Sequence, residues 1–343
     1  MKLYLDAMGG DNAPQAPVEG ALEALNRFEK LEIILSGPEE TVRESFEQVF
    51  AEAPEKVRSR VTLRDCQEVI GNDEAPVLAI RRKKNSAMAD GMRCLKAGEA
   101  DAFVSAGSTG AILAGGMFVL GRLRGIERPA VATLLPNGKG FFLLIDSGAN
   151  VDCKPLYLHQ FAMMGSAYMQ GVRGVEAPRI GLINNGLEEE KGCALTKETY
   201  QLLKADGKLN FIGNVEARDI TADRADVLVC DGFVGNTVLK FMEGVSGTLL
   251  GIIKKELMAS PITKLGALLA KPAFARVKKQ MSYSEVGGAP LLGVDGVVIK
   301  AHGSSNAHAI ACAIAQAIQI WENDVTGKIR AMLPELVTPG EKQ

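Results

Sequence analysis

The sequence predicts an α/β fold, three layers deep (α/β/α), built on a mixed but mostly parallel sheet. Three observations lead there. Short apolar runs alternate with helical stretches along most of the chain, as βα units do. Several of those runs end in a small-residue turn followed at once by a helix-start pattern. One pair, Ala130–Leu135 and Phe141–Ile145, is joined by Pro136-Asn-Gly-Lys-Gly140 and reads as an antiparallel hairpin inside the alternation.

Taken in order, Leu3–Leu5 reads as the first strand, ending at Asp6-Ala-Met-Gly-Gly-Asp-Asn-Ala-Pro14. A helix over Ala16–Phe28 follows, with Pro14 near its start, where a missing N–H costs least. Glu32–Ser36 and Val61–Cys66 read as strands flanking a helix over Glu39–Phe50. Pro76 to Lys96 reads as two helices parted near Asn85-Ser86. Ala102–Ser105 is a buried strand feeding Ala106-Gly-Ser-Thr-Gly110 and a helix over Ala111–Leu123. After the hairpin, a loop from Asp146 to Pro155 leads into a helix reaching about Val172. Strand Arg179–Ile183, a loop to Lys191, helix Ala194–Leu203 and strands Asn210–Ile212 and Val227–Cys230 come next. Asp231-Gly-Phe-Val-Gly-Asn236 opens a long helix. Gly296–Ile299 reads as the last strand and Ser304–Trp321 as an alanine-rich helix capped by Ser304, Ser305 or Asn306. No linker rich in Pro, Gly or Ser divides the chain. Residues 1–343 are therefore expected to form one catalytic unit of two intertwined subdomains sharing a sheet.

The 343 residues can bury a large core, and 47% hydrophobic with 23% charged residues is ordinary for a soluble globular enzyme. A net charge of −2 argues against bulk nucleic-acid binding. Six scattered cysteines without a CxxC pair suggest reduced thiols and a cytoplasmic setting. The N-terminus is interrupted too soon by charge for a signal peptide, and no apolar run is long enough to span a bilayer.

Four junctions place small and hydroxyl residues where a strand gives way to a helix: Gly9-Gly10-Asp11-Asn12, Gly107-Ser108-Thr109-Gly110, Gly235-Asn236-Thr237 and Gly303-Ser304-Ser305-Asn306. In open α/β sheets such ends face a common crevice. Free N–H groups, hydroxyls and glycines that let the backbone approach suit an anion. Gly10, Gly107, Ser108, Thr109, Gly303 and Ser304 are the candidate phosphate ligands. Turns and helix caps need the same residues, so the local pattern alone leaves both readings open. Neither G-x-G-x-x-G nor G-x-x-x-x-G-K-[ST] occurs, which points to a small phosphate or phosphate ester.

His302 stands beside a helix start, as a general acid/base or a hydrogen-bond donor. The helix dipole disfavours the imidazolium, so a neutral donor fits. His308 lies on another face of the helix and makes no metal pair with it, while His159 reads as structural. Asp6, Asp11, Asp146, Asp152 and Asp231 follow strand ends. Lys154, Lys191, Lys240 and Lys300 are available to offset their charge beside an anion, with or without Mg²⁺. Loop capping is the reading adopted for these acids, with no metal or cofactor.

Two further stretches invite partners. Arg81-Arg82-Lys83-Lys84 is a compact basic run, either a solvated helix end or a dock for an acidic protein. Residues 248–281 form an amphipathic, projecting segment of net charge +6 (seven Lys or Arg against one Glu), which Pro261 and Pro272 should break into helical pieces. Its Ile262, Leu265, Leu268 and Leu269 share a helical face that suits an oligomer contact or an anionic membrane surface.

The blocks Leu5-Asp-Ala-Met-Gly-Gly-Asp-Asn-Ala-Pro14, Arg81-Arg-Lys-Lys-Asn-Ser86, Ser105-Ala-Gly-Ser-Thr-Gly-Ala111 and Asp146-Ser-Gly-Ala-Asn-Val-Asp152 resemble those of the bacterial phosphate acyltransferase (PlsX) family. So do Phe211-Ile-Gly-Asn-Val-Glu-Ala-Arg218, Asp231-Gly-Phe-Val-Gly-Asn236 and Lys300-Ala-His-Gly-Ser-Ser305, so the resemblance runs over nearly the whole chain. It implies a homodimer of the isocitrate dehydrogenase/phosphotransacetylase-like fold, held peripherally at the inner face of the cell membrane. The implied reaction makes acyl phosphate from fatty acyl-acyl carrier protein and inorganic phosphate in phospholipid synthesis. The downstream glycerol-3-phosphate acyltransferase is an implied partner.

That chemistry needs neither a strong base nor a covalent cysteine. Phosphate is already anionic, and a thiolate with a pKa of about 8.5 is a tolerable leaving group. Positioning and oxyanion stabilisation should dominate. Ser108, Thr109, Ser304 and Lys191 are expected to hold phosphate, with His302 and Asn236 as donors to the oxyanion or leaving sulfur. The basic run at residues 81–84 would receive the carrier protein. The rivals are a phosphotransacetylase acting on acyl-CoA, a dehydrogenase of related fold, and a non-catalytic scaffold.

Overall fold

The computed structural model describes residues 1–281 and 287–333. Among them, eleven strands form one sheet: β1 (Lys2–Asp6), β2 (Glu32–Gly37), β3 (Val61–Asp65), β4 (Ala102–Ser105), β5 (Ala130–Pro136), β6 (Phe141–Ile145), β7 (Arg179–Asn184), β8 (Asn210–Glu216), β9 (Val227–Val229), β10 (Ala289–Leu292) and β11 (Val297–Lys300). Their order across the sheet is β3-β2-β1-β4-β11-β10-β5-β6-β9-β7-β8. The first five run parallel. The next, β10, is antiparallel to both its neighbours, and the expected hairpin β5–β6 is antiparallel with Ala132 opposite Ile145. Beyond it β6, β9, β7 and β8 are parallel again.

The helices are α1 (Gln15–Arg27), α2 (Glu39–Val49), α3 (Glu55–Arg58), α4 (Pro76–Arg82), α5 (Ala87–Ala97), α6 (Thr109–Gly115), α7 (Pro155–Arg173), α8 (Ala194–Ala205), α9 (Gly232–Leu257), α10 (Pro261–Met281), α11 (Ala307–Glu322) and α12 (Val325–Met332). Side-chain alternation shows why they lie on both faces of the sheet. Leu3 and Leu5 of β1, Ala102 and Val104 of β4, and Val297 and Ile299 of β11 enter the core beneath α1, α7 and α11. The intervening Tyr4, Phe103 and Val298 enter a second core with α4, α5 and α6. Strands buried on both sides read as continuous apolar runs, and three layers result.

The structure corrects the expected elements at several places. The helix foreseen over Ala111–Leu123 is α6 followed by one π turn, Gly116–Leu120, in which the Gly121 N–H donates to Gly116 O at 2.9 Å. Pro272 does not break the amphipathic segment: it lies inside α10, which gives up one backbone hydrogen bond there and continues. Pro261 does mark a helix start. β10, α3 and α12 were not foreseen.

α9 and α10 pack on each other as a helical hairpin. Ile262, Leu265, Leu268 and Leu269 are 61–84% exposed. Phe241, Val245, Leu249 and Ile252 form a second exposed apolar stripe on α9. No helix among the described residues is long and apolar enough to cross a membrane.

Candidate active site

The central strands carry the site. β4 lies between β1 and β11, and Lys300 is in register with Ser105. With Leu5 paired to Val104, the same rung continues to Asp6, so acid, hydroxyl and ammonium stand in one row at the strand ends. The buried Ser105 hydroxyl donates to Asp6 Oδ2 at 2.7 Å and accepts from the Gly107 N–H at 3.0 Å. Lys300 Nζ donates to Ala106 O at 3.1 Å and to Ala301 O. An ammonium has three protons, so one is left for the space in front of it.

That space is a cavity of about 510 Å³. Gly107, Ser108 and Thr109 line it after β4, Lys300, His302 and Gly303 after β11, and Asn236 and Leu239 from α9. Burial pushes Lys300 down to about 8, against the pull of Asp11 and Asp6. Burial also raises Asp6, opposed by hydrogen bonds from Ser105, Met8 and Gly9 and by the Lys300 charge. The result is a wall of a half-buried cation, loop amides and hydroxyls, the donor set an oxyanion asks for.

His302 is oriented by its own loop. Its Nδ1 accepts from the Ser304 N–H at 3.2 Å and lies 2.8 Å from Ser304 Oγ. A backbone amide can only donate, so the neutral ring carries its proton on Nε2. Asn236 arrives through close packing. A Cβ on Gly235 would sit 1.9 Å from Asp146 O, so only glycine lets the second turn of α9 press against the loop after β6. Asp231 caps α9 by accepting from the Val234 N–H at 2.9 Å. The buried Asp146 carboxylate accepts from the N–H groups of Val131, Gly148, Ala149 and Asn150 and from the Asn150 side chain. Both acids are therefore loop builders, as the capping reading has it. Among the described residues no three His, Cys, Asp or Glu side chains are gathered as a metal ion would need.

Gly107, Ser108, Thr109, Gly303, His302 and Asn236 are thus brought together. Gly10 and Ser304 stand just behind the wall. Gly10, at φ +94°, brings the β1 loop onto Gly303, whose carbonyl accepts from the Asp11 N–H at 2.8 Å. Ser304 serves His302, and the helix cap falls to Asn306, whose Oδ1 accepts from the Ala309 N–H. Lys191 lies in the loop between β7 and α8, outside the cavity lining. Two lysines line the cavity, Lys240 from α9 and Lys300 from β11, both offered by the sequence only among four charge-balancing lysines, and Lys300 is the one set at the paired strand ends. The signal that singles it out is non-local, the alignment of β11 with β4.

The partner residues lie elsewhere. Arg81, Arg82 and Lys84 are exposed at the end of α4, with Arg81 stacked over Phe118 at 5.5 Å. Lys83 is turned inward, donating to Val69 O at 2.7 Å and pairing with Glu74 at 2.6 Å. The other histidines are engaged away from the cavity, His159 with Asp206 at 2.8 Å and His308 with Glu23 at 2.7 Å.

Comparison with known proteins gives the family. Residues 1–328 match the family model described as fatty acid synthesis protein. The chain is 49% identical over 329 residues, 96% of each sequence, to a putative phosphate acyltransferase of Clostridium perfringens (strain 13 / Type A). It is 48% identical over 335 residues, 98% of this chain and 99% of the relative, to a phosphate acyltransferase of Clostridium novyi (strain NT). Among solved structures it resembles the EutD phosphotransacetylase from Staphylococcus aureus, with a TM-score of 0.60 and 16% identity over 94% of each chain. A phosphotransacetylase from Streptococcus pyogenes gives 0.57 and 18%, over 93% of this chain and 94% of that one. At such identities the likeness is one of fold. The chain therefore belongs to the fatty acid synthesis protein family, the family of phosphate acyltransferases that its motifs resemble.

Proposed function

We propose that the cavity transfers a fatty acyl group from acyl carrier protein to inorganic phosphate. The observation that carries this reading is the Lys300 ammonium set beside the Ser108 and Thr109 hydroxyls in one cavity wall. Phosphate binds there. One of its oxygens attacks the thioester carbonyl, the C–O bond forms, and the His302 Nε2–H and Asn236 amide donate to the carbonyl oxygen as it becomes negative. Collapse breaks the C–S bond, and the proton that phosphate brought ends on the departing thiolate. Apolar Val131, Leu134 and Leu239 in the same lining suit an acyl chain.

The carrier protein docks on Arg81, Arg82 and Lys84. The first residue of α4, Pro76, lies against Gly110, since a Cβ there would be 2.6 Å from the Pro76 ring. The basic end is thus one seven-residue helix, about 10 Å, from the cavity loop. The stripe on α9 meets a second copy of the chain in a homodimer, and the basic, apolar face of α10 rests on the anionic inner surface of the cell membrane. There the acyl phosphate passes to the glycerol-3-phosphate acyltransferase of phospholipid synthesis.

The decisive assay is phosphate-dependent thiol release from acyl-acyl carrier protein, run beside acyl-CoA. The reading expects release that stops without phosphate and is faster from the carrier protein. Phosphate-independent release, or a preference for acyl-CoA, overturns it.

A further inference from the structure

Asp6 is 3% exposed and lies behind the cavity wall, yet it touches that wall along two routes. One is a relay of two hydrogen bonds: its carboxylate accepts from Ser105, whose oxygen accepts from the Gly107 N–H. The other is electrostatic, through the rung that sets Lys300 two strands away across Ser105. We propose that Asp6 is a positioning residue for phosphate, fixing the Gly107 loop through Ser105 and holding the charge on Lys300 through its own negative charge. This rests on the reading of the cavity as a phosphate site.

The placement fits that task better than a purely structural one. Removing one member of a buried, hydrogen-bonded charged group leaves its partners uncompensated, so the acid bears on the groups it touches. Here the opposite charges flank one hydroxyl, and the only member of the row open to the cavity is the ammonium. The other ionisable groups that face Lys300 are few among the described residues. Asp11 comes from the β1 loop and His302 from the loop after β11. Lys240 and Glu243 reach across from α9 and pair with each other at 3.8 Å. Asp6 is the acid on the buried side.

The sign follows directly. Lys300 binds a phosphate dianion while protonated, so affinity falls as pH rises through about 8, where burial places this lysine. Removing the negative charge of Asp6 makes the ammonium easier to deprotonate and moves the fall to lower pH.

The test is direct titration of the intact protein with inorganic phosphate, without acyl donor, from about pH 7 to 10. Wild type is expected to lose affinity through about pH 8. Asp6→Asn, which keeps the acceptor for Ser105, should lose it about one pH unit lower. Lys300→Arg, whose charge does not titrate, should show no fall. Ser105→Ala should weaken binding about tenfold at every pH while leaving the fall where it was. Folding is checked by circular dichroism, and the Lys300→Arg and Ser105→Ala arms decide the matter if Asp6→Asn does not fold. A fall unmoved by Asp6→Asn, or one that survives Lys300→Arg, overturns the inference and leaves the phosphate site standing. No phosphate binding at any pH overturns that site as well.

Discussion

The Ser304 amide proton points at His302 Nδ1 from 3.2 Å, so the neutral imidazole at the cavity wall carries its proton on Nε2. This one bond makes His302 a donor and excludes it as a neutral base at Nε2. We expect His302→Ala to lower acyl-phosphate formation more than about tenfold with thermal stability unchanged, the loss typical of an oxyanion donor. Equal kcat in a folded variant would remove His302 from the reaction.

Asn236 is set against Gly148, whose Cβ would stand 3.6 Å from the Asn236 side-chain oxygen. Asn236→Ala should reduce kcat by more than about tenfold and spare phosphate binding, because the amide acts on the carbonyl and not on the nucleophile. A rise in the phosphate KM at constant kcat would reassign it to the anion wall.

The basic end of α4 gives a substrate-specific expectation. Reversing Arg81, Arg82 and Lys84 together to Glu should raise KM for acyl-acyl carrier protein several-fold, more at low salt than at high. Turnover of acyl-CoA, which makes no protein contact, serves as the control. If both substrates suffer alike, the run is not a dock.

For the hairpin, Leu265→Glu combined with Leu268→Glu should release the protein from anionic vesicles and leave soluble turnover intact. Both side chains are more than half exposed, so the change carries little folding penalty. Unchanged co-sedimentation would assign that face to another contact.

Asp90 supplies a pH test of stability. Burial would raise it, but hydrogen bonds from Tyr4 at 2.8 Å, Arg64 at 3.0 Å and Arg93 at 3.0 Å prevail and hold it below the ordinary carboxylate range. A depressed folded pKa stabilises above the unfolded value and is lost as pH falls through the folded one. Asp90→Asn should therefore cost about 2 kcal/mol near neutrality, from weakened charge-assisted bonds, and progressively less below about pH 4. Urea midpoints at several pH values would show it, and a pH-independent gap would mean that packing, not charge, is at stake.

Local pattern made most of the fold legible. The runs at Leu3–Leu5, Ala102–Ser105 and Gly296–Ile299 are strands buried on both faces, and the turn Pro136–Gly140 announces the hairpin. β10 escaped because Ala289–Leu292 is four residues long, with glycines on either side. The site was legible in part for the same reason. Hydroxyl and glycine clusters marked the loops after β1, β4 and β11, yet the same clusters serve as caps, and Gly10 and Ser304 lie outside the cavity lining. Lys300 and Asp6 could not be singled out, since their meeting depends on the pairing of β1 and β11 with β4.

That pairing has a consequence for biogenesis. The row Asp6, Ser105 and Lys300 spans nearly three hundred positions, and the first loop is tied to the last junction by Asn12 donating to Ser305 O at 3.1 Å. Closing so long a loop is slow, and the central strand β11 is synthesised after all ten of its companions. Until it slots between β4 and β10, the nascent sheet is split through the middle and exposes two unpaired edges. The cavity wall is therefore completed in a single late step, and a chain stalled before it lacks Lys300 and keeps two open sheet edges.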